Sequence, residues 1–196
     1  MPVNRSVPDV AQKRKNWNGL ISGFKASDLV FLDGSGCNTD MTRRYAYSLG
    51  GSRAVDSAPL SKPKSTTILS SIRLDGTLRY TTFSGGTTVE RFKRYLETDL
   101  LPHLNGNSVL IMDNMKSHYA KAVKNLLDSS GVRYIYLPPY SPDLNPIEKL
   151  WSKVKAFLRK FKARTLDALP NAIQNAFHSV TVSDCSGWFR FCGHAL

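Results

Sequence analysis

The stretch Leu29-Val30-Phe31-Leu32-Asp33-Gly34-Ser35-Gly36 decides the fold expected for this chain. Four consecutive apolar residues are typical of a strand that is buried on both faces, and the Gly-Ser-Gly that follows predicts a turn. The apolar run at residues 109–112 is a second pattern of this kind, and it ends at Asp113. We therefore expect two buried strands, each of which carries an aspartate at its carboxyl end.

The rest of the chain alternates between strand and helix patterns. Two β-rich runs within residues 66–83 flank an Asp-Gly dipeptide, which predicts a hairpin. A helix is expected at residues 87–101, where Thr87 and Glu90 would form a capping box. The later predicted elements are a helix whose apolar stripe spans 119–127 and which stops before Gly131, a strand at 132–137, a helix whose buried stripe reaches Phe161, a helix at 166–180 and a short aromatic tail. This order predicts an α/β domain with a mixed sheet and helices packed on it.

A third carboxylate follows in the segment YSPDLNPIEKLW, residues 140–151. Prolines restrict the backbone before a helix for which Asn145 is a suitable N-cap. Glu148 lies in the first turn of that helix, and 34 residues separate it from Asp113. Carboxylates beside buried strands are costly unless they bind something positive, so we expect Asp33, Asp113 and Glu148 to form a site for hard divalent cations.

Three convergent carboxylates suit the cleavage of phosphodiester bonds. The transition state accumulates negative charge, and two divalent ions about 4 Å apart can stabilise both the attacking and the leaving oxygen. Magnesium fits because it prefers carboxylate, water and phosphate oxygens. We expect Asp33, on the innermost strand, to bridge two ions, while Asp113 and Glu148 hold one ion each. The pattern thus predicts a metal-dependent nuclease.

Each acidic residue also has a structural alternative. Asp33 could form a turn, and Asp113 could cap the helix that follows it. Glu148 could reach back to the Asn145 amide as a capping-box glutamate. Asp143 is a rival third ligand, although hydrogen bonding to loop amides is its expected role. The three acids, taken together with the long proline-rich motif, favour the catalytic interpretation.

Two polar residues beside Asp113 are candidates for orienting water or the ligating carboxylates, namely Asn114 and His118. The alternative for His118 is structural, as is common for a histidine near a helix start. Cys37, Cys185 and Cys192 form a sparse, odd set that is typical of a reducing cytoplasm. The last two, with His194, match no common zinc module, so we expect ordinary packing.

The chain is strongly basic, with 27 Lys and Arg against 15 Asp and Glu, a net charge of +12 and a pI near 9.8. Such an excess favours binding to phosphate backbones through counterion release. The candidate DNA-binding residues are Arg43, Arg44, Lys149, Lys153, Lys155, Arg159 and Lys160. Solvated helix faces are the alternative for about half of the lysines. A basic membrane-surface protein is disfavoured, because no long apolar segment, lipidation motif or signal peptide is visible.

Three motifs carry a resemblance to a known family. They read LVFLDGSGCNTDMTRRY, VLIMDNMKSH and YLPPYSPDLNPIEKLWSKVK. From about residue 27 to its end, the chain resembles the catalytic core of DDE transposases from bacterial insertion sequences of the mariner-like superfamily. The positions that match the acidic triad of that family are Asp33, Asp113 and Glu148. Family members often carry an acidic residue where Gly34 stands, a position outside the triad.

The resemblance implies an RNase H-like fold and an enzyme that cuts DNA at transposon ends. Such an enzyme joins the freed 3′ hydroxyl to target DNA and uses Mg²⁺ or Mn²⁺. The implied partners are double-stranded DNA, namely transposon ends and a target with a TA dinucleotide, and a second copy of the chain in a synaptic dimer. The implied location is the bacterial cytoplasm, in association with the nucleoid and not with a membrane.

The expected domain organisation is a basic arm or linker remnant at residues 1–27 and an RNase H-like DDE catalytic domain at residues 28–196. The N-terminal helix-turn-helix domain of the family is expected to be absent, and an upstream reading frame could supply it. Two other functions stay open. One is a different RNase H-like nuclease that acts on branched DNA or RNA hybrids, and the other is an inactive transposase remnant that only binds DNA.

Overall fold

The computed structural model describes residues 8–43, 45–57 and 65–194 of the 196-residue chain. These residues form one five-stranded mixed sheet with helices packed on both faces. The strands are β1 (Leu29–Cys37), β2 (Thr66–Ile72), β3 (Leu78–Ser84), β4 (Val109–Met112) and β5 (Arg133–Tyr136). The helices are α1 (Pro8–Ile21), α2 (Val89–Tyr95), α3 (Lys121–Ser130), α4 (Ile147–Phe161), α5 (Ala168–His178) and α6 (Val182–Phe191). The predicted α/β class is confirmed.

Strand β1 lies at the centre of the sheet, whose order is β3-β2-β1-β4-β5. It pairs antiparallel with β2 and parallel with β4, and β4 pairs parallel with β5. Strands β2 and β3 form the predicted hairpin. Its turn places Gly76 at a φ of 85°, a conformation that glycine adopts without strain, and the Thr77 amide donates to Asp75 Oδ1 at 2.8 Å.

The predicted turn after Asp33 is wrong. Residues 34–36 continue β1 as far as Cys37, because each of them is paired with a residue of β2. The parallel partner β4 ends earlier, where Met112 faces Leu32. The antiparallel neighbour thus supplies ladder hydrogen bonds beyond the point at which the apolar run stops. Asp33 lies within β1, at the end of its pairing with β4.

Each face of the sheet has its own apolar cluster. The first contains Phe31 and Ile111 together with residues of α1, α4, α5 and α6. The second contains Val30 and Leu110 together with residues of α2 and α3. Successive residues of a strand point to opposite faces, so Asp33 shares the face of Phe31 and is directed towards α4.

Two predicted helix caps are wrong. Thr88, and not Thr87, caps α2, since its side chain accepts a hydrogen bond from the Arg91 amide. The adjacent threonines offer the same chemical signal, so the sequence could not separate them. Helix α4 begins at Ile147 without a side-chain cap, and the buried Oδ1 of Asn145 has no hydrogen-bond partner among the described residues. A short 3₁₀ turn before Asn145 sets the entry of the chain instead.

The end of the chain also differs from its prediction. Phe161 was expected in the buried stripe of α4 but is 45% exposed, because it lies in the last turn before Lys162 ends the helix in the left-handed conformation. The aromatic tail is helix α6, which begins with a capping box between Thr181 and Asp184. The spacing of Thr181 and Asp184 resembles the sequence signature of a helix start, so the sequence contained a signal for this helix.

The predicted arm contains helix α1, which packs against the domain. Its Trp17 and Ile21 are buried in the same apolar cluster as Phe31. Residues 1–7 lie outside the described residues, and the boundary at residue 27 stays a prediction. Within the described part of the chain, no helix combines the length and the apolar composition needed to cross a membrane.

The three cysteines are buried free thiols, as ordinary packing requires. His194, which lies near Cys192, is also buried, and its Nε2 donates to the Leu144 carbonyl at 3.1 Å. The ring nitrogen is therefore already used in a hydrogen bond. This contact supports the expected packing role over a zinc site.

Candidate active site

Asp33 and Asp113 lie side by side at the end of the parallel ladder between β1 and β4. Leu32 and Met112 face each other in this ladder, and the two aspartates are the residues that follow them. The Asp33 side chain is buried, whereas the Asp113 side chain is 39% exposed. The sheet thus brings together two carboxylates from segments that are far apart in the sequence.

Two neutral donors hold the carboxylate of Asp33. Its Oδ1 accepts from the Gly34 amide at 2.6 Å, and its Oδ2 accepts from Trp151 Nε1 at 3.0 Å. Burial and then the charge of Asp113 raise the pKa of Asp33 to about 7, against the opposing effect of the two hydrogen bonds. Glu148 adds a smaller increase. A buried carboxylate whose charge is disfavoured in this way would be stabilised by a bound cation.

His118 orients the carboxylate of Asp113. Its Nδ1 lies 2.8 Å from Asp113 Oδ1, and the Met115 amide donates to the same oxygen at 3.1 Å. Burial acts to raise the pKa of Asp113, but the interactions with His118 and the Met115 amide outweigh it and leave this pKa below its usual value. The His118 ring is fully buried and stacks on Phe92, with 4.2 Å between the ring centroids.

Asn114 joins the ends of β4 and β5. Its Nδ2 donates to the Leu137 carbonyl at 2.5 Å, and its Oδ1 accepts from the Tyr119 hydroxyl. These contacts place Asn114 in the wall of a cleft whose volume is about 480 Å³. Its role in orienting water or a ligating carboxylate stays a prediction.

Glu148 lies in the same cleft as Asp113 and is exposed. Burial raises its pKa above the usual value, Lys155 acts in the opposite direction, and Asp113 adds a further increase. The capping-box alternative is not formed, because α4 begins without a side-chain cap and the Asn145 amide donates to the Pro142 carbonyl at 3.2 Å. The Glu148 carboxylate is thus available for a role in the cleft.

The three carboxylates interact electrostatically but do not form a closed ligand shell. Asp33 is affected by the charges of both Asp113 and Glu148. Within residues 8–43, 45–57 and 65–194, however, no three His, Cys, Asp or Glu side chains are placed closely enough to hold a metal ion as they stand. The donor set still fits a hard divalent cation, because all three donors are carboxylates and a bound cation would stabilise the charged form of the buried Asp33.

Asp143, the rival third ligand, forms an ion pair with helix α1. Arg14 Nη1 and Nη2 lie 3.1 Å and 2.7 Å from the two carboxylate oxygens, and Nη1 also donates to Ser141 Oγ at 2.6 Å. A bidentate guanidinium already compensates the charge of this carboxylate. Asp143 is therefore better suited to holding the proline-rich loop on α1 than to binding a metal ion.

Replacing Arg14 should weaken this attachment. We expect R14M to lower the free energy of unfolding by about 1–2 kcal/mol, because hydrogen bonds to charged groups are stronger than neutral ones. Lys13 offers a matched control: it pairs with Asp9 at 2.7 Å, but both side chains are largely exposed. K13M should therefore cost less than about 0.5 kcal/mol in chemical denaturation. Equal losses for the two variants would contradict a structural role of the Arg14 contact.

The predicted DNA-binding residues differ in their contacts. Arg43 is exposed in an irregular segment after β1, and Arg44 lies outside the described residues. Lys149 Nζ is 3.8 Å from the centroid of the Phe191 ring. Lys153 lies 2.5 Å from Asp184, so its charge is already compensated within the fold. This ion pair makes Lys153 the weakest of the candidates on α4.

The other basic candidates on α4 have no ion pair described for them. Lys155 is half-buried, and its positive charge lowers the pKa values of Glu148 and Cys37. Arg159 is half-buried and Lys160 is exposed towards the end of the helix. Lys155 thus acts electrostatically on one of the three acids, and phosphate binding by all three residues stays a prediction.

Sequence reasoning missed two residues that shape the site. Trp151 was assigned only to the buried stripe of α4, yet its N–H contacts Asp33. Its position three residues after Glu148 was a usable signal, since such residues share one face of a helix. Arg14 was counted only as part of a basic arm. Its contact spans 129 residues, and no local pattern could have predicted it.

Gly34 is explained by close packing. A Cβ atom built at this position would lie 3.0 Å from Leu69 Cδ2, so Leu69 would have to move. The glycine beside Asp33 therefore permits a close contact between β1 and β2. An acidic residue at this position would require the end of the Leu69 side chain to shift by a few tenths of an ångström.

The sheet order, the flanking helices and the three acids define the chain as an RNase H-like domain of the kind found in DDE enzymes. The family model described as "DDE superfamily endonuclease" matches residues 28–170. The chain therefore belongs to the DDE superfamily endonucleases.

Known relatives are transposases. The chain is 29% identical over 97 residues to the Tc1 transposase of Caenorhabditis elegans, which covers 47% of this chain and 36% of that protein. It is 31% identical over 75 residues to the Tcb2 transposase of Caenorhabditis briggsae, covering 38% and 28%. The matched stretch is thus about a third of each relative. The predicted bacterial origin stays a prediction.

Solved structures show the same fold. A pre-cleavage Mos1 transpososome has a TM-score of 0.80 at 20% identity, and the match covers 99% of this chain and 64% of that one. The isolated catalytic domain of the Mos1 mariner transposase has a TM-score of 0.67 at 16% identity, covering 94% and 89%. The predicted RNase H-like fold is confirmed.

Proposed function

We propose that this chain is the catalytic domain of a DNA transposase, in which Asp33, Asp113 and Glu148 bind Mg²⁺ or Mn²⁺, with two ions bridged by Asp33. The observation that carries the proposal is the convergence of these carboxylates. Two of them follow the paired residues Leu32 and Met112, and the third lies on α4, whose Trp151 contacts Asp33. The chain would cut DNA at the ends of a transposable element and join the freed ends to target DNA.

Each residue of the site would have its own chemical role. Asp33 would contribute a buried, doubly hydrogen-bonded carboxylate, and Asp113 a carboxylate oriented by His118. Glu148 would contribute an exposed carboxylate from the cleft. Two bound divalent ions would supply a deprotonated water or 3′ hydroxyl as the nucleophile and would stabilise the leaving oxygen. Lys155, whose positive charge acts on Glu148, would contact a phosphate of the strand that enters the cleft.

Relatives support this assignment by their own descriptions. Mos1 structures include a strand transfer complex, paired-end complexes and forms with Mg or Mn. We therefore propose double-stranded DNA as the substrate and a synaptic dimer as the active assembly. A helix-turn-helix segment would select the ends, as the family organisation implies. In a bacterial host the chain would act at the nucleoid.

The direct test is DNA cleavage by the purified chain. The substrate is a linear fragment that carries the sequences flanking the gene, and fragments of equal length and unrelated sequence are the control. We expect strand breaks at the element ends in Mg²⁺ or Mn²⁺, none in EDTA, and joining of the freed 3′ hydroxyl to a second DNA.

Two other outcomes would point to the alternatives. Preferential cleavage of four-way junctions or RNA–DNA hybrids would assign the chain to another group of RNase H-like nucleases. DNA binding without metal-dependent cleavage of any of these substrates, including when a helix-turn-helix segment of the family is added, would identify a binding remnant. Either result would overturn the proposed activity.

A further inference from the structure

Trp151 is the side chain that joins α4 directly to the acid on the central strand. It is 4% exposed, and its Nε1 donates to Asp33 Oδ2 at 3.0 Å. An indole has one N–H donor and no acceptor, so Trp151 can only donate a hydrogen bond to Asp33. The other oxygen of Asp33 accepts from the Gly34 amide at 2.6 Å. Both oxygens therefore have a fixed donor, and the plane of the carboxylate is set.

The same contact sets the position of Glu148 relative to the strand. Glu148 and Trp151 are three residues apart on α4, so they lie on one face of the helix, one turn from each other. Apolar residues of α4 bury the helix against the sheet, but hydrophobic burial is non-directional. The hydrogen bond supplies the direction, because it ties the turn of α4 that carries Glu148 to Asp33.

The chemistry of the donor is compatible with metal binding. Each carboxylate oxygen has two lone pairs, so one N–H bond leaves Asp33 able to bind a cation. The indole is neutral and does not compete with a cation for the negative charge. Asp143 shows the contrast, because its charge is compensated by the guanidinium of Arg14.

We propose that Trp151 is a positioning residue for the divalent-metal site: its indole N–H orients the Asp33 carboxylate and sets the spacing between Asp33 and Glu148. The inference rests on the proposed function, because it assumes that these acids bind metal. The groups that hold ligating side chains in place commonly affect metal affinity by about 10- to 100-fold. Trp151 is assigned this role as well as its place in the apolar cluster.

The chain contains a matched control for the loss of an indole N–H. Trp17 is 5% exposed and belongs to the same apolar cluster as Trp151. Its Nε1 is buried and has no hydrogen-bond partner among the described residues. W17F and W151F therefore remove similar buried volumes, but only W151F removes a hydrogen bond to a candidate ligand.

The experiment measures Mn²⁺ affinity by electron paramagnetic resonance for the wild type, W151F, W17F and D33N. We expect W151F to bind Mn²⁺ about 10- to 100-fold more weakly than the wild type and W17F to bind within about twofold of it. Thermal unfolding without metal shows whether each variant is folded. A further variant carries β-(3-benzothienyl)alanine at position 151, which keeps the shape of the indole and lacks the N–H. It should weaken Mn²⁺ binding as W151F does.

Fluorescence tests directly whether the metal binds at the carboxylate that Trp151 contacts. The chain has three tryptophans, so a W17F/W188F protein retains Trp151 alone. Binding of Mg²⁺ to Asp33 should change the emission of this indole, because the cation withdraws electron density from the oxygen that accepts its hydrogen bond. D33N in the same background should remove the change.

The two proposals fail in different ways. If the wild type binds Mn²⁺, D33N does not, and both the W151F and benzothienyl variants bind like the wild type, Trp151 has no positioning role and the proposed function stands. If the wild type and D33N bind Mn²⁺ equally weakly, the metal site itself is wrong, and the role of Trp151 is overturned with it.

Discussion

Replacing any one of the three acids by its amide, as D33N, D113N or E148Q, is expected to reduce metal-dependent DNA cleavage by roughly 1,000-fold or more. Residues that act as one catalytic unit are strongly non-additive, so the loss of a single member removes most of the effect of the unit. The amides keep the size of each side chain while removing the negative charge that holds a divalent ion. The measurement is the rate of strand cleavage at saturating Mg²⁺, with Mn²⁺ affinity determined in parallel.

A suitable control is E97Q, which removes an exposed carboxylate that pairs with Lys93 at 3.0 Å, away from the cleft. It should cleave DNA at the wild-type rate. The structural alternatives for the acids predict a different pattern, in which a lost cap lowers the free energy of unfolding by about 1 kcal/mol and leaves activity unchanged. Full activity in a folded D33N, D113N or E148Q protein would remove that residue from the site.

The second large effect is the dependence of stability on pH in the metal-free protein. Burial, together with the charge of Asp113, raises the pKa of Asp33 from 3.8 to about 7 in the folded state. Below about pH 4 the carboxyl is protonated in both folded and unfolded chains. Between about pH 4 and pH 7 only the unfolded chain has lost the proton, so the folded state is progressively destabilised as the pH rises. Above pH 7 the loss of folding free energy caused by ionising the buried Asp33 reaches its full value of about 4 kcal/mol.

D33N cannot lose this proton. In EDTA, its free energy of unfolding relative to the wild type should therefore increase from pH 4 to pH 7 and stay constant above pH 7. Urea denaturation at several pH values measures this difference. Excess Mg²⁺ at pH 8 should reduce the difference by stabilising the wild type. If the difference in free energy of unfolding between D33N and the wild type does not change with pH, burial does not destabilise the ionised Asp33 carboxylate.

Local patterns predicted the elements that bury apolar side chains. The apolar runs before Asp33 and Asp113 are strands, and the Asp-Gly dipeptide forms the hairpin turn, because burial and turn chemistry act over a few residues. The Gly-Ser-Gly after Asp33 was misassigned because its conformation depends on β2, a strand about 30 residues further along the chain. The local strand propensity of a segment does not show which distant strand it will pair with.

The candidate site could likewise be predicted only in part from the sequence. The identities of the three acids followed from motif and family resemblance, since each one ends or begins a recognisable element. Their supports did not follow, because Trp151 reaches Asp33 across 118 residues and Arg14 reaches Asp143 across 129. His118 is an intermediate case: it is only five residues from Asp113, so proximity made it a candidate before its contact was known.

The position of Asp33 inside a long, doubly paired strand has a consequence for how the site can adjust. Asp33 and Asp113 are carried by adjacent strands whose spacing is set by backbone hydrogen bonds, so the positions of these two acids relative to each other are fixed. The first turn of α4 is anchored as well, because Ile147 and Leu150 are buried and Trp151 contacts Asp33, but the Glu148 side chain itself is exposed. The three carboxylates do not yet enclose an ion, so closing the ligand set around one falls to rotation of the Glu148 side chain and not to movement of a strand or helix.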